Sequence, residues 1–186
     1  MSAGPVDLLE RFKNGDDAAL DLLVEQMAPR LKGFFLRQGA TGDIAEDLAQ
    51  DVFVRVLNGL HRYQAAGRLD AFLLRIARNL WIDFLRRKRP LASTDVVQDA
   101  VDESDGPVDL AVCRDRAEYL RRLLASCEPD TRELLELAVL QKLPYAEVAM
   151  ILEIPVGTVK SRVFYALRHL RERASAAKIF GEEMDD

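Results

Sequence analysis

The sequence predicts an all-α protein: two helical domains joined by an acidic linker. Three observations carry that prediction. Apolar residues recur at helical spacing in nearly every segment outside the middle of the chain, and no segment alternates apolar and polar residues as a half-buried strand would. Between Pro90 and Asp109 the chain is rich in Asp, Ser, Gly and Pro and poor in large apolar side chains, a composition that cannot bury a core. The expected division is a domain over residues 1–90, a flexible acidic linker over 91–108, a second domain over 109–180 and an acidic tail over 181–186.

Taken in order, Asp7 to Met27 reads as an amphipathic helix broken near Asn14-Gly15, and Arg30 to Arg37 as another. Gln38 to Asp43 is a glycine-containing turn. Ile44 to Leu60 is strongly periodic: Ile44, Leu48, Val52, Phe53, Val56, Leu57 and Leu60 form one face, and Glu46, Asp47, Gln50, Asp51 and Arg55 the other. His61 to Arg68 is a loop centred on Ala-Ala-Gly. Leu69 to Arg87 forms a helix with Phe72, Leu73, Ile76, Leu80 and Phe84 inward and Arg75, Arg78, Asn79, Asp83 and Arg86 outward. Pro90 stops it, since proline lacks the N–H that a helix interior needs. Helices resume over Asp109–Ser126, Asp130–Gln141, Ala146–Leu152 and Val156–Lys178, the second of these starting from Asp130 or Thr131 as its cap. Residues 181–186 read as a frayed acidic end.

The most specific stretch runs from Tyr145 to Arg162. Tyr145, Val148, Ala149 and Leu152 make one apolar stripe, and Glu153 to Pro155 interrupts the helix. A second helix then turns Val159, Val163, Ala166, Leu167 and Leu170 inward and leaves Thr158, Lys160, Ser161, Arg162, Tyr165 and Arg168 outside. Short polar and basic side chains on the exposed first turns of a second helix are what a reader of the DNA major groove requires. An ordinary helical hairpin with a solvated basic face satisfies the same spacing.

Charge supports contact with a polyanion. The 186 residues carry a net charge of −5, which argues against a generic nucleic-acid binder. The average hides a pattern, because Arg75–Arg89 holds six basic residues and one acid, and Gly157–Lys178 the same. Leu91–Asp130 holds ten acids and four arginines. Two basic surfaces flank a spacer that repels nucleic acid. No apolar run is long enough to cross a membrane, and the N-terminus lacks the basic-then-apolar order of a signal peptide. Two cysteines, Cys113 and Cys127, and two histidines, His61 and His169, form no zinc-ligand spacing, so neither metal nor cofactor is expected. Buried thiols are ordinarily inert, which leaves a redox role for the cysteines a remote reading. Nor is there a nucleophile–base pair or a phosphate-cradling glycine loop, and the expectation is a cytoplasmic protein that is not an enzyme.

At this point the residues resemble a known family. Asp47-Leu-Ala-Gln-Asp-Val-Phe-Val-Arg55 looks like the polymerase-binding helix of bacterial RNA polymerase sigma factors of the extracytoplasmic-function type, group 4 of the sigma-70 superfamily. Phe72-Leu-Leu-Arg-Ile-Ala-Arg-Asn-Leu-Trp-Ile-Asp83 looks like the following helix, which faces the −10 promoter element. Pro144-Tyr-Ala-Glu-Val-Ala through Arg162 looks like the helix-turn-helix that reads the −35 element. The resemblance implies sigma region 2 over residues 1–90 and sigma region 4 over 109–180. It further implies binding to core polymerase, through the β′ coiled coil and the β flap, and to promoter DNA. An anti-sigma factor that holds the chain inactive is implied as well, and no membrane insertion.

Residue by residue, Asp47, Gln50, Asp51 and Arg55 would meet polymerase, although a solvated acidic face gives the same pattern. Arg75, Arg78, Arg86 and Arg87 would hold −10 phosphates, with Asn79 and Asp83 set to hydrogen-bond base edges. The loop Tyr63-Gln-Ala-Ala-Gly-Arg68 falls where family members capture an unstacked base, so Tyr63 would stack and Gln64 would bond. Trp81 could wedge melted strands apart, but it adjoins the Leu80/Phe84 stripe and reads better as packing. At −35, the N–H groups at Val156, Gly157 and Thr158 face a phosphate, Lys160, Ser161 and Arg162 meet bases or phosphates, and Tyr165 and Arg168 extend the contact. Arg162 bidentate to guanine is the expected discriminating contact.

The linker sets a reach. About 18 residues at roughly 3.3 Å each span about 60 Å. Promoter elements about 16 to 18 base pairs apart, at about 3.4 Å per pair, are separated by a similar length. Two other readings use the same features: a stand-alone helix-turn-helix regulator, and a sigma-like protein that titrates a partner without binding promoters.

Overall fold

The computed structural model describes residues 7–64, 68–88 and 122–182. The regular elements among its described residues are all helical, with no strand. The chain divides into two units between Asp105 and Gly106. The expected linker, residues 91–108, lies outside the described residues, as do Cys113, most of the helix expected over Asp109–Ser126 and the last four tail residues.

In the first unit α1 spans Leu8–Lys13, α2 Asp17–Gln38, α3 Gly42–Asn58 and α4 Leu69–Lys88, with a single 3₁₀ turn at Leu60–Arg62. Asp7 starts α1 as its N-cap, accepting from the Leu9 and Glu10 N–H groups at 3.0 and 3.1 Å. The break expected near Asn14-Gly15 is present, with Gly15 at φ 96°, where a side chain would be strained. Gly39 (φ 103°) ends α2 in the same left-handed region.

One expectation fails here. Residues before and after Pro29 form a single helix, not two. The proline removes one internal hydrogen bond, yet Leu23, Met27, Leu31, Phe34 and Phe35 stay in one helical register across it and are all buried. Packing of that continuous stripe outweighs the local cost of proline, which is about 3 kcal/mol in an exposed helix interior.

Helices α2, α3 and α4 pack on one another around Leu31, Phe34, Phe35, Val52, Leu73, Leu74 and Leu80. An aromatic chain ties α2 to α4: Phe34 meets Phe35 edge-on at 5.2 Å, Phe35 lies 6.4 Å from Trp81, and Trp81 stacks on Phe84 at 5.4 Å. Trp81 is therefore a packing residue, as its neighbours implied. The inward face of α3 is slightly narrower than expected, since Leu57 is 39% exposed while Ala45 and Ala49 are buried.

The second unit holds α5 (Pro129–Leu135), a π-helical turn (Glu136–Leu140), α6 (Tyr145–Leu152) and α7 (Val156–Glu182). Leu134, Leu135, Leu137, Leu143, Val148, Ile151, Val159 and Val163 form its core. Neither Asp130 nor Thr131 caps α5. Glu128 occupies the cap position without a side-chain bond and Pro129 opens the helix, which suits a residue with no N–H to satisfy. The helix expected to continue through Gln141 widens into π geometry. There the fully buried Glu136 accepts from Gln141 Nε2 at 2.8 Å, a pairing five residues apart that the wider turn brings into line. Arg132 reaches back to the carbonyls of Leu124, Ala125 and Cys127 at 3.0 to 3.2 Å, satisfying the open end of the preceding helical turn.

In the turn between α6 and α7, Glu153 adopts the left-handed conformation (φ 57°, ψ 40°) and the Ile154 N–H bonds the Ala149 carbonyl at 3.1 Å. Glu153 thus makes the reversal, and Pro155 follows it with a carbonyl that accepts the Val159 N–H. Ile151 is buried, whereas Tyr145, expected in the apolar stripe, is 36% exposed and Leu152 only half-buried. The final helix runs to Glu182, past the expected end at Lys178 and into the expected tail.

The core assignment makes a contrast testable by thermal melting. Leu73→Ala, at a fully buried position, is expected to cost about 2–5 kcal/mol. Leu85→Ala, at a position 46% exposed on the same helix, should change stability by less than about 0.5 kcal/mol.

Candidate nucleic-acid interface

Each helix buries one stripe, so the polar residues between stripes are displayed by default. On α3, Asp47, Gln50, Asp51 and Arg55 are all exposed, the acids a helical turn apart. Beside Gln50 runs a groove of about 470 Å³ between α2 and α3, lined by Val24, Ala28, Pro29, Ala49 and Phe53. Lys32 and Glu46 close it with an ion pair at 2.9 Å, and the lysine holds the Glu46 carboxyl below its usual range. Sequence periodicity missed this groove because its two walls come from different helices.

Along α4, Arg75, Asn79 and Arg86 are exposed and fall within about 40° of one another around the helix. Arg75 rests its guanidinium 5.8 Å from the Phe72 ring, and Arg87 Nε donates to the Asp83 carbonyl at 3.3 Å. Arg78 is half-buried rather than fully outward. Asp83 is not displayed alone either, for its carboxylate lies 3.7 Å from Arg55 of α3. That contact joins two residues which the sequence assigned to different partners. Both side chains are nearly half exposed, so the pair is worth only about 0.2–1 kcal/mol and yields readily to a ligand.

The loop between α3 and α4 holds the largest departure from expectation. Tyr63 is buried, not an exposed stacking platform. Its ring lies 5.1 Å from Phe72, its hydroxyl donates to Asp7, and its carbonyl accepts from Lys13 Nζ at 2.8 Å. Gln64, next in the chain, is exposed, and the Ala-Ala-Gly centre of the loop lies outside the described residues. Arg68 is clasped by Asp70 at 2.7 and 3.0 Å, and Arg30 stands 3.6 Å from the same carboxylate. Burial alone would raise the Asp70 pKa, but the bond and charge of Arg68, the Ala71 N–H and the charge of Arg30 hold it below the usual value. Asp7 and Lys13 escaped the sequence reading because they sit 56 and 50 residues from the tyrosine they hold.

In the second unit α7 displays Val156 (40% exposed), Gly157, Lys160, Ser161, Arg162, Tyr165 and Arg168, with Thr158 half-buried. The Ser161 hydroxyl donates to the Thr158 carbonyl at 3.1 Å, and Arg168 pairs with Glu172 at 2.9 Å. A Cβ built on Gly157 would meet nothing within 4 Å, so internal packing does not require glycine there. Phe164, which the sequence assigned to no face, is 62% exposed and meets Tyr165 edge-on at 5.5 Å. Arg162, Tyr165 and His169 border an open cleft of about 650 Å³ whose far wall is Glu128–Thr131. Burial pushes the Cys127 thiol pKa up against the opposing charges of Arg132 and Arg173, which lowers its reactivity at neutral pH. Among the described residues no group of acidic, His and Cys side chains could hold a metal, and no helix is long and apolar enough to cross a membrane.

Comparison with known proteins accords with this arrangement. Residues 23–91 match the family model for sigma-70 region 2, and residues 117–170 match that for sigma-70 region 4. The chain is 32% identical over 161 residues to the ECF RNA polymerase sigma factor RpoE of Cereibacter sphaeroides, covering 86% of this chain and 88% of that one. It is 29% identical over 169 residues to the ECF RNA polymerase sigma-E factor of Escherichia coli K12, with the same coverage. Among solved structures it resembles the sigma factor RpoE of Bartonella quintana in complex with the anti-sigma factor NepR (TM-score 0.67, 25% identity, covering 82% of this chain and 94% of that one). The fold is shared with CnrH in its complex with the cytosolic domain of CnrY (TM-score 0.68, 21% identity, 91% and 96% covered).

The buried Tyr63 hydroxyl yields a prediction about pH. Burial first, then its bond to Asp7 and the nearby acids, raise the phenol pKa well above the ordinary 10.0. A raised pKa means that the stabilisation from this group is complete below pH 10.0 and is lost as pH rises through the higher folded value. An absorbance titration at alkaline pH should find Tyr63 ionising late, and Asp7→Ser should bring it back toward the ordinary value.

Proposed function

The chain belongs to the extracytoplasmic-function RNA polymerase sigma factors of the sigma-70 family, and we propose that it grips a promoter at two points while bound to polymerase. As an alternative sigma factor it binds core RNA polymerase and directs promoter-specific initiation under the control of an anti-sigma factor. The observation that carries the proposed division of labour is the segregation of charge by helix face. An acidic face on α3 and a basic sector on α4 occur in one unit, and a basic exposed helix face occurs in the other.

In this reading residues 1–90 form region 2, 91–108 the linker, 109–180 region 4 and 181–186 a tail. Asp47, Gln50, Asp51 and Arg55 dock on the polymerase β′ coiled coil, whose basic side chains complement the acids. Arg75, Arg86 and Arg87 neutralise phosphates at −10, with Arg78 supporting them from its half-buried position and Asn79 reaching base edges. Asp83 joins them once Arg55 turns from it to polymerase. Gln64 bonds an unpaired −10 base, with Tyr63 beneath it as support. On α7 the open space at Gly157 admits a phosphate to the helix N-terminus beside Val156 and Thr158. Lys160, Ser161 and Arg162 then meet the −35 major groove, and Tyr165 and Arg168 extend the contact along the backbone. The β flap would bind region 4. The protein acts in the cytoplasm, where polymerase is, and performs no chemistry itself. A stand-alone regulator or a partner-titrating protein would have no use for both promoter-facing surfaces.

In vitro transcription with core polymerase tests the reading. Promoter-specific initiation is expected with the chain and not without it, and duplex footprinting by the chain alone with no initiation would contradict it. Asp51→Arg should weaken core binding by several kcal/mol, through like charges brought together, while the circular dichroism spectrum stays unchanged. Arg162→Ala should cost about 1–3 kcal/mol of discrimination at one −35 base pair, read as a flattened sequence logo there.

A further inference from the structure

Helix α1 lies ahead of the region 2 match, which begins at residue 23, and the promoter grip described above assigns it no task. It nevertheless holds one residue of the −10 loop from both of its ends. At its start, Asp7 uses Oδ1 to cap the helix and Oδ2 to accept the Tyr63 hydroxyl proton. At its end, Lys13 Nζ donates to the Tyr63 main-chain carbonyl at 2.8 Å. That carbonyl belongs to the peptide plane joining Tyr63 to Gln64, so the lysine fixes the plane from which the Gln64 side chain departs. Phe72 of α4 closes the third side, with its ring 5.1 Å from that of Tyr63.

We propose that α1 is a latch that presents Gln64 to an unpaired promoter base in a fixed geometry, with Asp7 and Lys13 as positioning residues. A residue whose peptide plane orders only on binding spends part of its interaction energy on lost backbone freedom, whereas one already held by its neighbours does not. Attachment of α1 to the core needs neither polar contact. Leu9 is fully buried and supplies the apolar anchor. The polar contacts converge on a single residue, and they fix its side chain and its main chain separately. The proposal rests on the assignment of Gln64 to the melted −10 strand.

The test uses the full chain with core polymerase and a promoter set carrying every base at each −10 position. The variants are Asp7→Ser, which keeps a capping hydroxyl but cannot reach Tyr63, Lys13→Met, and the double change; Gln64→Ala is the control for the loop reading. The double variant is expected to lose about ten-fold in preference at the base that Gln64 reads, with core affinity and −35 duplex binding unchanged. If Gln64→Ala flattens that preference and the latch variants retain it, the latch is overturned while the loop reading stands. If Gln64→Ala flattens no position and the latch variants flatten none, the loop reading fails and the latch falls with it. If the latch variants flatten only a position that Gln64→Ala does not, α1 does not act through Gln64 and the proposal is overturned. A uniform loss on all promoters that follows a drop in melting temperature would show a merely structural helix and also overturn the proposal.

Discussion

The aromatic contact between α2 and α4 sets the rotation of α4, and the first unit's displayed surface depends on that rotation. Phe34, Phe35, Trp81 and Phe84 form a continuous series of ring contacts, and all four but Phe84 are buried. Once Trp81 and its neighbours Ala77 and Leu80 face α2, helical geometry leaves Arg75, Asn79 and Arg86 on the opposite sector. A rotation of α4 by one residue, about 100°, would bury a guanidinium and expose an indole, at a cost of several kcal/mol. The basic face is therefore a consequence of packing. The same logic turns the Asp47–Asp51 face of α3 outward, because Leu48, Val52 and Val56 are committed to the core.

In the second unit the constraint is a reversal. The left-handed Glu153 redirects the chain so that α7 packs Val159 and Val163 against α6 and leaves its first turns open. Upstream, the π turn and the buried Glu136–Gln141 bond end the run begun by α5, and Leu143 drops into the core ahead of α6. Several basic side chains of both units already have partners: Arg55 with Asp83 in the first, Arg168 with Glu172 in the second. These exposed pairs are weak, so under the proposed promoter grip they would set only modest competition for a polyanion.

Much of this was legible in the sequence, and the exceptions share a cause. Periodicity located α3, α4, α6 and α7 and separated inward from outward residues, because a stripe is a local property of a helix. It failed at Pro29, where propensity predicted a break and the packing of Leu31, Phe34 and Phe35 held the helix together. The family resemblance, which set Tyr63 to stack on a base, could not show that Asp7, Lys13 and Phe72 already occupy it. The Arg55–Asp83 pair and the groove beside Gln50 escaped periodicity for the same reason. Each is a long-range contact, and no spacing rule in one segment encodes a partner in another.

The central claim is that two separately folded surfaces hold one promoter at once, joined by a linker of limited reach. Initiation by the chain with core polymerase, measured while the distance between the −10 and −35 elements is varied one base pair at a time, tests that claim most directly. The account predicts a single maximum at about 16 to 18 base pairs, with steep loss on either side as the two faces fall out of register. Initiation that stays level across spacings differing by half a helical turn would contradict it.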